Sequence, residues 1–533
     1  MLYWFFFRPS WLKPLLTFSL LSRTGWGLKS LILSVAMASQ SAQAALELQW
    51  GDSIPFSYER LIQKAKQMAL SPPIKESPAH SAIVSQIDYS AWQSLRYRPE
   101  AALFGDQNGH FPVTFFHVGS SLPQGIRIFR LEGNQASELF YDPSYFSASK
   151  NSVVRELPAN TGFGGFRVQQ PHGPDPTTRD WLMFLGGSYF RAVGEDGVYG
   201  ASARPLLIYD QHQEEHDIPT FREFFLEDAK SNSAPVTTYA LLDGEAVTGV
   251  FRFISSLSKG VTQEVDADLF FKQSVKGLGL VPLKTMYWFS ENDKSRLEDW
   301  RPEVHDSDGL AILTGSGEKI WRPLLNPPTT STSLVDEPTL KGFGLIQRDR
   351  LSDHYLDEEH HFEKRPNVWV ELVDGWNAGQ LELIEHSTAN EINDNVTVYW
   401  KPKSTIQPGA HLHLRYRLHW TNDEPFPGNL ARCVSTRLGQ ITDERDSTVK
   451  NYQISVEFDG PKPSDKAQPR FRVEKGRVIQ SIIENVPGTE RWRVLFEVKP
   501  ESQEPVDLTL QVRLHSNAVS EIWTYRLYPS QKH

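Results

Sequence analysis

Strict alternation of apolar and polar residues is the feature of this chain that most limits its fold. In HLHLRYRLHW at 411–420, leucine, tyrosine and tryptophan take every second position, while histidine and arginine take the others. VDLTLQVRLHS at 506–516 and RWRVLFEVK at 491–499 repeat this period of two, which is typical of a strand with one buried face. Because no helix-length periodicity separates these segments, parallel βαβ units are not expected. The sequence predicts an all-β, mainly antiparallel fold built as sandwiches.

A turn-rich stretch, TNDEPFPGN at 421–429, indicates a domain boundary. The segment after it has the length of an immunoglobulin-like sandwich, about 100 residues. We therefore predict a large sandwich over 45–421, a linker over 422–433 and an immunoglobulin-like sandwich over 434–533. One early segment, SYERLIQKAKQMAL at 57–70, instead has the apolar spacing of a helix, with a serine placed to cap it.

The amino terminus predicts export. KSLILSVAMASQSAQA at 29–44 has a positive charge, an apolar run and a small-x-small cleavage pattern before Ala45. We interpret residues 1–44 as a cleaved signal peptide. The chain has a single cysteine, Cys433, so an exported protein of this sequence would fold without an internal disulfide.

Composition narrows the class of partner. The formal net charge of −10 argues against a nucleic-acid backbone or an anionic membrane surface as the main partner. Aromatic residues make up 12% of the chain and include 15 tryptophans. Aromatic rings can pack on neutral, hydroxyl-rich ligands such as sugars, or fill the core of a large β protein, and composition alone leaves both open.

Four loop-like segments contain the candidate functional residues. FLGGSYFRAVGEDGVYGASAR at 184–204 is rich in glycine, which either presents its tyrosines and arginines to a ligand or only eases packing. HDSDG at 305–309 and ANEINDNVTVYW at 389–400 carry paired acids. DHYLDEEHHFEKRPNVWVE at 353–371 mixes histidines with acids, but its spacing matches no defined metal-ligand pattern. We expect no metal and no cofactor, and we interpret the His-x-His pairs at 411–420 as a solvated strand face.

Asp306 and Asp394 lie on two separate loops, as the acids of glycoside chemistry do. One carboxyl must arrive protonated to give its proton to the leaving oxygen, and the other activates water or bonds to the sugar. By pattern alone the signal is weak, because aspartate in DSDG or NDN also hydrogen-bonds its own backbone in ordinary turns.

A family resemblance strengthens the catalytic interpretation. Nine strings occur in the order found in the periplasmic glucan biosynthesis proteins of the OpgG/OpgD (MdoG/MdoD) type, over nearly the whole mature chain. They are GFGGFRV, LGGSYFRAVG, YGASAR, YALLDG, RPEVHDSDGL, GSGEKIWRPLLNP, KGFGLIQRDR, KRPNVWVE and NDNVTVYW. The resemblance implies a galactose-mutarotase-like sandwich followed by an immunoglobulin-like one. It also implies a periplasmic role in making osmoregulated glucans, with inverting hydrolysis or transglycosylation of their β-1,2-glucan backbone.

The resemblance also implies roles for single residues. Asp394 corresponds to the general acid of the family, which is thought to act through a hydroxyl of the substrate, and Asp306 corresponds to the general base of its hydrolytic branch. Glu391, Arg365 and His305 would line the same cleft. The remaining expected substrate-binding residues are Ser307, Tyr189, Arg191 and Phe362.

Two departures from the family bear on the subtype. Phe362 stands where hydrolytic members have a tyrosine, which removes a hydroxyl from the expected substrate path. The signal peptide lacks an adjacent arginine pair, which favours the general secretory route and the G type, although Asp308 resembles the D type.

The sequence supports three hypotheses. The first is an enzyme acting on β-1,2-glucan, with hydrolysis and transfer undecided. The second is a binding protein that receives the glucan from an inner-membrane synthase, and the third is a mutarotase or lyase, which the fold alone suggests. The sequence leaves the oligomeric state open.

Overall fold

The computed structural model describes residues 46–529 apart from short gaps. The gaps are 72–78, 106–109, 150–151, 172–179, 210–214, 294–298, 338, 377, 427 and 444–445. The predicted signal peptide at 1–44 lies outside the described residues. Within these ranges, no helix combines the length and the hydropathy needed to cross a bilayer.

The helices of the described chain are short and lie mostly near its start. The α-helices are α1 Tyr58–Ala69, α2 Ser81–Val84 and α3 Tyr89–Ser94, and the 3₁₀ helices are Pro99–Ala101, Pro143–Tyr145, Val153–Glu156, Ala159–Thr161, Ser352–His354 and Phe362–Lys364. The predicted cap of α1 is confirmed, because the side chain of Ser57 accepts a hydrogen bond from the backbone N–H of Arg60. Leu61 and Ala65 of α1 are buried against the outer face of the main sheet.

Strands make up most of the remainder. The strands of the first half are β1 Trp50–Pro55, β2 Arg96–Tyr97, β3 Val113–Phe116, β4 Arg127–Glu132, β5 Gln135–Leu139, β6 Phe146–Ser147, β7 Gly165–Gln169, β8 Asp180–Leu185, β9 Tyr189–Ala192, β10 Ser202–Ala203, β11 Leu206–Tyr209, β12 Glu215–Asp217, β13 Thr220–Glu227, β14 Val236–Asp243, β15 Val247–Ser258 and β16 Gly260–Phe271.

The strands of the second half are β17 Leu278–Thr285, β18 Tyr287–Phe289, β19 Val304–His305, β20 Gly309–Thr314, β21 Lys319–Pro323, β22 Ser331–Val335, β23 Leu340–Ile346, β24 Asn367–Asp374, β25 Gly379–Glu385, β26 Val396–Pro402, β27 His411–Thr421, β28 Arg432–Asp443, β29 Asp446–Asp459, β30 Gln468–Glu474, β31 Gly476–Asn485, β32 Trp492–Pro500, β33 Val506–Leu514, β34 Asn517–Ala518 and β35 Ile522–Leu527.

Two large sheets dominate the described part of the chain. The main sheet has the order β1-β5-β4-β13-β14-β15-β16-β27-β24-β23-β20-β21-β35-β33-β30, with β34 beside β33. The second sheet has the order β22-β25-β26-β17-β10-β9-β8-β7-β3, with β11 on β17 and β12 on β11. Among the described strand pairs, only β4–β13 and β21–β35 are parallel. The prediction of an all-β, mainly antiparallel fold is therefore confirmed.

An aromatic layer joins the two sheets. Phe184 and Phe190 of the second sheet lie 5.0 and 5.4 Å from Phe253 of the main sheet, measured between ring centroids. Tilted ring pairs at such distances add a favourable electrostatic contribution to the burial of their area. On β27 the predicted burial pattern is confirmed. Its leucines, tyrosine and tryptophan point toward this core, and its histidines and arginines do not.

The carboxyl-terminal strands surround a second core. A four-stranded sheet of order β28-β29-β32-β31 faces β30, β33 and β35, with Trp492 and Trp523 buried between them. Trp321 and Trp369 from the preceding part of the chain belong to the same apolar cluster. The predicted boundary, with a linker over 422–433, stays a prediction.

Candidate active site

A short segment after β17 holds the two predicted catalytic loops side by side. The carbonyl of Met286 accepts a hydrogen bond of 2.9 Å from the backbone N–H of Asp306. The next backbone N–H, that of Tyr287, donates to the side-chain oxygen of Asn395, also at 2.9 Å. Asn395 directly follows Asp394, so one dipeptide brings the two predicted aspartates to the same place.

The electrostatic setting of Asp394 suits a proton donor. Burial raises the pKa of its carboxyl to about 7, and the nearby negative charge of Asp306 contributes to the rise. Lys284, Arg191 and Arg204 oppose that rise with their positive charges. Asp394 therefore keeps its proton up to near neutral pH, where an ordinary aspartate has lost it.

Asp306 is the partner of an arginine. Its side chain is buried, with 8% of the residue exposed, and its Oδ1 lies 3.2 Å from Arg365 Nε. Within the described chain this oxygen accepts no hydrogen bond of good geometry, so its acceptor capacity is unused. An unused buried acceptor calls for an explanation, and a water or a sugar hydroxyl held there would supply one.

Glycines of the 184–204 loop allow the Arg365 segment to approach. A Cβ on Gly194 would lie 2.7 Å from the side chain of Pro366, and one on Gly200 would lie 3.0 Å from it. Since a side chain at either position would press on Pro366, these glycines permit the packing that carries Arg365 to Asp306. Arg365 also donates a hydrogen bond to the carbonyl of Tyr199.

Three more of the predicted residues are buried near Asp306 and Arg365. They are Tyr189, Arg191 and Phe362. The Arg191 guanidinium carbon is 4.6 Å from the ring centre of Tyr199 and 5.8 Å from that of Tyr189. Phe362 is fully buried, and the guanidinium carbon of Arg365 lies 5.6 Å from its ring. Their expected contact with substrate stays a prediction.

Ser307 and His305, the two residues that flank Asp306 in sequence, are held by buried hydrogen bonds. The Ser307 hydroxyl is fully buried and lies 3.0 Å from the hydroxyl of Thr285. His305 is also fully buried, with one ring nitrogen 3.0 Å from Glu303 and the other 3.2 Å from Gln347. Direct contact of either residue with a sugar is likewise untested.

His305 belongs to a buried charged network. Burial disfavours its charged form, but its hydrogen bond to Glu303 and the charge of Asp308 together raise the pKa of the imidazole to about 9. Burial also raises the pKa of Asp308 to about 6. A protonated His305 therefore balances the negative charge of Glu303 and Asp308, and Asp308 also accepts hydrogen bonds from the backbone N–H groups of Arg348 and Asp349.

Ligand atoms of Glu303, His305 and Asp308 all lie within 4.8 Å of one another, as a metal site requires. The same is true of Glu303 with Asp349 and His354, and of Asp266 with Asp268 and His413. In each group a histidine already pairs with a carboxylate, at 3.0 Å or more for His305 and His413. Our expectation that the protein uses no metal stays a prediction.

His305→Gln should destabilise the protein by about 3–5 kcal/mol, because it leaves Glu303 and Asp308 buried without their cation. The free energy of unfolding in urea at pH 7 would measure this. The folded pKa lies above the ordinary value, so the contribution is fully present below about pH 6.5 and is lost as pH rises through about 9. The control is His361→Gln, whose histidine has 42% of its side chain exposed and lies 3.5 Å from Glu363. Equal unfolding midpoints for both variants at pH 7 would contradict the network.

Arg301 joins three loops at the edge of the site. It makes bidentate hydrogen bonds with Asp299 at 2.9 and 2.8 Å, and it contacts Asp357 at 2.8 Å and Glu391 at 2.6 Å. We call these four residues the Arg301 hub. Through Glu391 the hub fixes the loop that carries Asp394. The predicted residue Glu391 is therefore held in an ion pair with Arg301 and is not free in the cleft.

Sequence reasoning missed Arg301, Asp357 and Lys284. Arg301 begins the RPEVHDSDGL string and Asp357 lies in the acid- and histidine-rich segment, but nothing local indicated that they would meet. Lys284 is a single cation in the otherwise apolar strand β17, which is a weak signal for a functional residue. Its charge acts directly on Asp394.

Comparisons with known proteins agree over most of the chain. The family model described as "Periplasmic glucan biosynthesis protein, MdoG" matches residues 56–527. Glucans biosynthesis protein D 2 of Ralstonia nicotianae is 41% identical, over 95% of this chain and 97% of that protein. Glucans biosynthesis protein D of Stenotrophomonas maltophilia is 36% identical over 96% of each chain, and that of Xanthomonas oryzae pv. oryzae is 35% identical over 90% of this chain and 91% of its own.

Proposed function

The chain belongs to the family of periplasmic glucan biosynthesis proteins, and from this premise we propose that it acts chemically on the β-1,2-glucan backbone. In this proposal it is an inverting glycoside hydrolase or transglycosylase, with Asp394 as the general acid and Asp306 as the general base. No cofactor takes part. The role in periplasmic glucan biosynthesis is that of the family, whereas the linkage and the reaction are our inference.

The pairing of two neighbouring carboxyl groups in different surroundings supports this assignment most. Burial beside Asp306 raises the pKa of Asp394 to about 7, so near neutral pH it can still donate a proton. Asp306 has an acceptor oxygen whose capacity is unused and a guanidinium 3.2 Å away. Two neighbouring acids in such different environments are what glycosidic cleavage requires.

The proposed step exchanges one bond at the anomeric carbon for another. The bond between the anomeric carbon and the glycosidic oxygen breaks, and a proton from Asp394 reaches that oxygen through a substrate hydroxyl. The oxygen of water, or of an acceptor sugar, bonds to the anomeric carbon from the opposite face and loses its proton to Asp306. Water gives hydrolysis and a sugar gives transfer, with inversion in both cases.

A binding protein without catalysis is the second candidate. It is favoured by the burial of Asp306 and of Phe362, two residues that are expected to meet the substrate. Such a protein would receive nascent glucan from an inner-membrane synthase and assist its release or branching.

The proposal also covers the export of the protein and its subtype within the family. We propose that residues 1–44 act as a signal peptide for the general secretory route, in keeping with the periplasmic location of the family. The lean toward the G type stays a prediction, and the relatives named above carry the letter D.

The products formed from linear β-1,2-glucan test the proposal. Purified protein should shorten the glucan, and proton NMR during early turnover should show the α-anomer first, because inversion converts a β-linkage into an α-configured end. Repeating the reaction with an added acceptor sugar separates transfer, which extends the acceptor, from hydrolysis. An unchanged chain-length distribution with retained glucan binding would favour the second candidate, and early β-anomer would overturn the inverting mechanism.

A further inference from the structure

Trp300 is an apolar ring held outward on a fixed segment. It is 69% exposed, whereas the other tryptophans of the described chain are buried or half-buried. Its two neighbours, Asp299 and Arg301, are largely buried and bonded to each other through two hydrogen bonds. Arg301 is in turn paired with Asp357 and Glu391, so the segment 299–301 that carries the exposed ring is held by several ion pairs.

Two more apolar side chains flank the same hub. Leu356 precedes Asp357 and is 51% exposed, and Ile392 follows Glu391 and is 43% exposed. Both acids contact the guanidinium of Arg301. Each of the three loops that meet at the Arg301 hub thus turns a large apolar side chain toward solvent. Single exposed apolar residues are ordinary, but these three lie on loops that the same guanidinium holds together.

The hub connects this surface to the acid pair. The guanidinium carbon of Arg301 lies 6.0 Å from the ring centre of Trp300, and its Nη2 lies 2.6 Å from Glu391. Glu391 is on the loop that leads directly into Asp394. The carboxylates of Asp357 and Glu391, together with the ring of His360 at 2.8 Å from Asp357, place polar groups beside the apolar ones.

This mixture fits a sugar better than a protein. A glucose ring has an apolar C–H face that can cover an indole and hydroxyls around its edge that can bond to carboxylates. A stable protein interface needs about 800 Å² from each partner with a core depleted of charge. Three apolar side chains set around four ion-paired residues provide neither.

We propose that Trp300 forms a sugar-stacking subsite at the rim of the acid pair, which holds a glucose unit of the glucan several residues away from the bond that reacts. Leu356 and Ile392 border this subsite, and the carboxylates of the Arg301 hub accept hydrogen bonds from its hydroxyls. The inference rests on the proposed function, because it names a further binding position for the same glucan.

Binding as a function of chain length tests the subsite. Linear β-1,2-gluco-oligosaccharides of increasing length would be titrated by calorimetry into Asp394→Asn protein, in which turnover is expected to be strongly slowed, with and without Trp300→Ala. We expect Trp300→Ala to weaken the binding of long oligomers about tenfold and to leave the shortest ones unchanged. Trp300→Phe should retain most of the affinity. Phe140→Ala is the matched control, because this aromatic residue is 38% exposed just after β5 and should have no effect.

The outcomes separate this inference from the proposed function. One outcome is that Trp300→Ala binds oligomers of every length as tightly as the protein that keeps Trp300. If the wild-type protein nevertheless acts on the glucan, that result overturns the subsite alone. A change in sedimentation coefficient without a change in glucan binding would identify Trp300 as a contact between copies of the chain and would also overturn it. If the parent protein neither binds nor alters the glucan, the proposed function fails, and the subsite fails with it.

Discussion

Asp394→Asn is expected to reduce the rate on linear β-1,2-glucan by about 10²–10⁴-fold, while the variant still binds the polymer. Asparagine has nearly the same shape as aspartic acid but has no acidic proton to give, so the leaving oxygen would depart as an alkoxide. Initial rates of reducing-end formation would measure the loss, and calorimetric titration with the glucan would measure the binding. The structural basis is the carboxyl whose pKa is raised to about 7 by burial and by Asp306.

The same assignment fixes the pH dependence of the wild-type protein. A general acid works only in its protonated form, so kcat/KM should fall as pH rises through about 7. The folded pKa also lies above the ordinary value for aspartate, so Asp394 stabilises the fold below about pH 4 and loses that contribution as pH rises through about 7. At pH 8.5 the Asn variant should therefore unfold at a higher temperature than the wild type, which separates loss of chemistry from loss of fold.

The control for this variant is Asp353→Asn, which neutralises an exposed carboxylate close to the site in sequence. It should leave both rate and pH profile unchanged. An unchanged rate in Asp394→Asn itself would remove the acid assignment.

Much of the fold could be predicted because its signals are local. The alternation in β27 predicted which residues are buried, since successive side chains of a strand point to opposite faces. The cap of α1 could be predicted from Ser57 and the apolar spacing behind it. Strand order could not be predicted, because the parallel pairs β4–β13 and β21–β35 join segments far apart in sequence and depend on packing of the whole core.

The candidate site also has a part that the sequence could predict and a part that it could not. Family strings identified Asp306 and Asp394, and the structure brings them together. The Arg301 hub could not be predicted, because its partners lie on three separate loops and an arginine among acids is usually solvated. Burial also separates residues that the resemblance had grouped, since Ser307 faces Thr285 whereas Asp306 faces Arg365.

Two separate sets of contacts hold the loops of Asp306 and Asp394. Arg365 lies beside the expected base, and the Arg301 hub fixes the loop of the expected acid through Glu391. The two loops are also joined through the segment at Met286 and Tyr287, and through Leu324 and Asn326, which bond to Asp308 and Thr388 respectively. In the proposed mechanism, the position of these loops decides whether water or an acceptor sugar reaches the anomeric carbon.

Asp306→Asn is the second variant with a large expected effect. Without a base, the attacking water or hydroxyl keeps its proton, and the rate on the glucan should fall about 10²–10⁴-fold. The variant should also move the remaining pH profile, because the negative charge of Asp306 is one cause of the raised pKa of Asp394. Removing that charge lowers the pKa of Asp394, so the alkaline loss of activity should begin below about pH 7. Residual rates measured between pH 5 and 8 would show the change.

Azide provides a test that a purely structural role for Asp306 would not pass. This anion needs no base to attack the anomeric carbon, so it should partly restore glucan cleavage in Asp306→Asn and form an α-glycosyl azide. It should not rescue Asp394→Asn, in which the leaving oxygen still lacks its proton. Rescue of neither variant, with a pH profile identical to that of the wild type, would show that Asp306 only shapes its loop; the base would then have to be another group near Arg365.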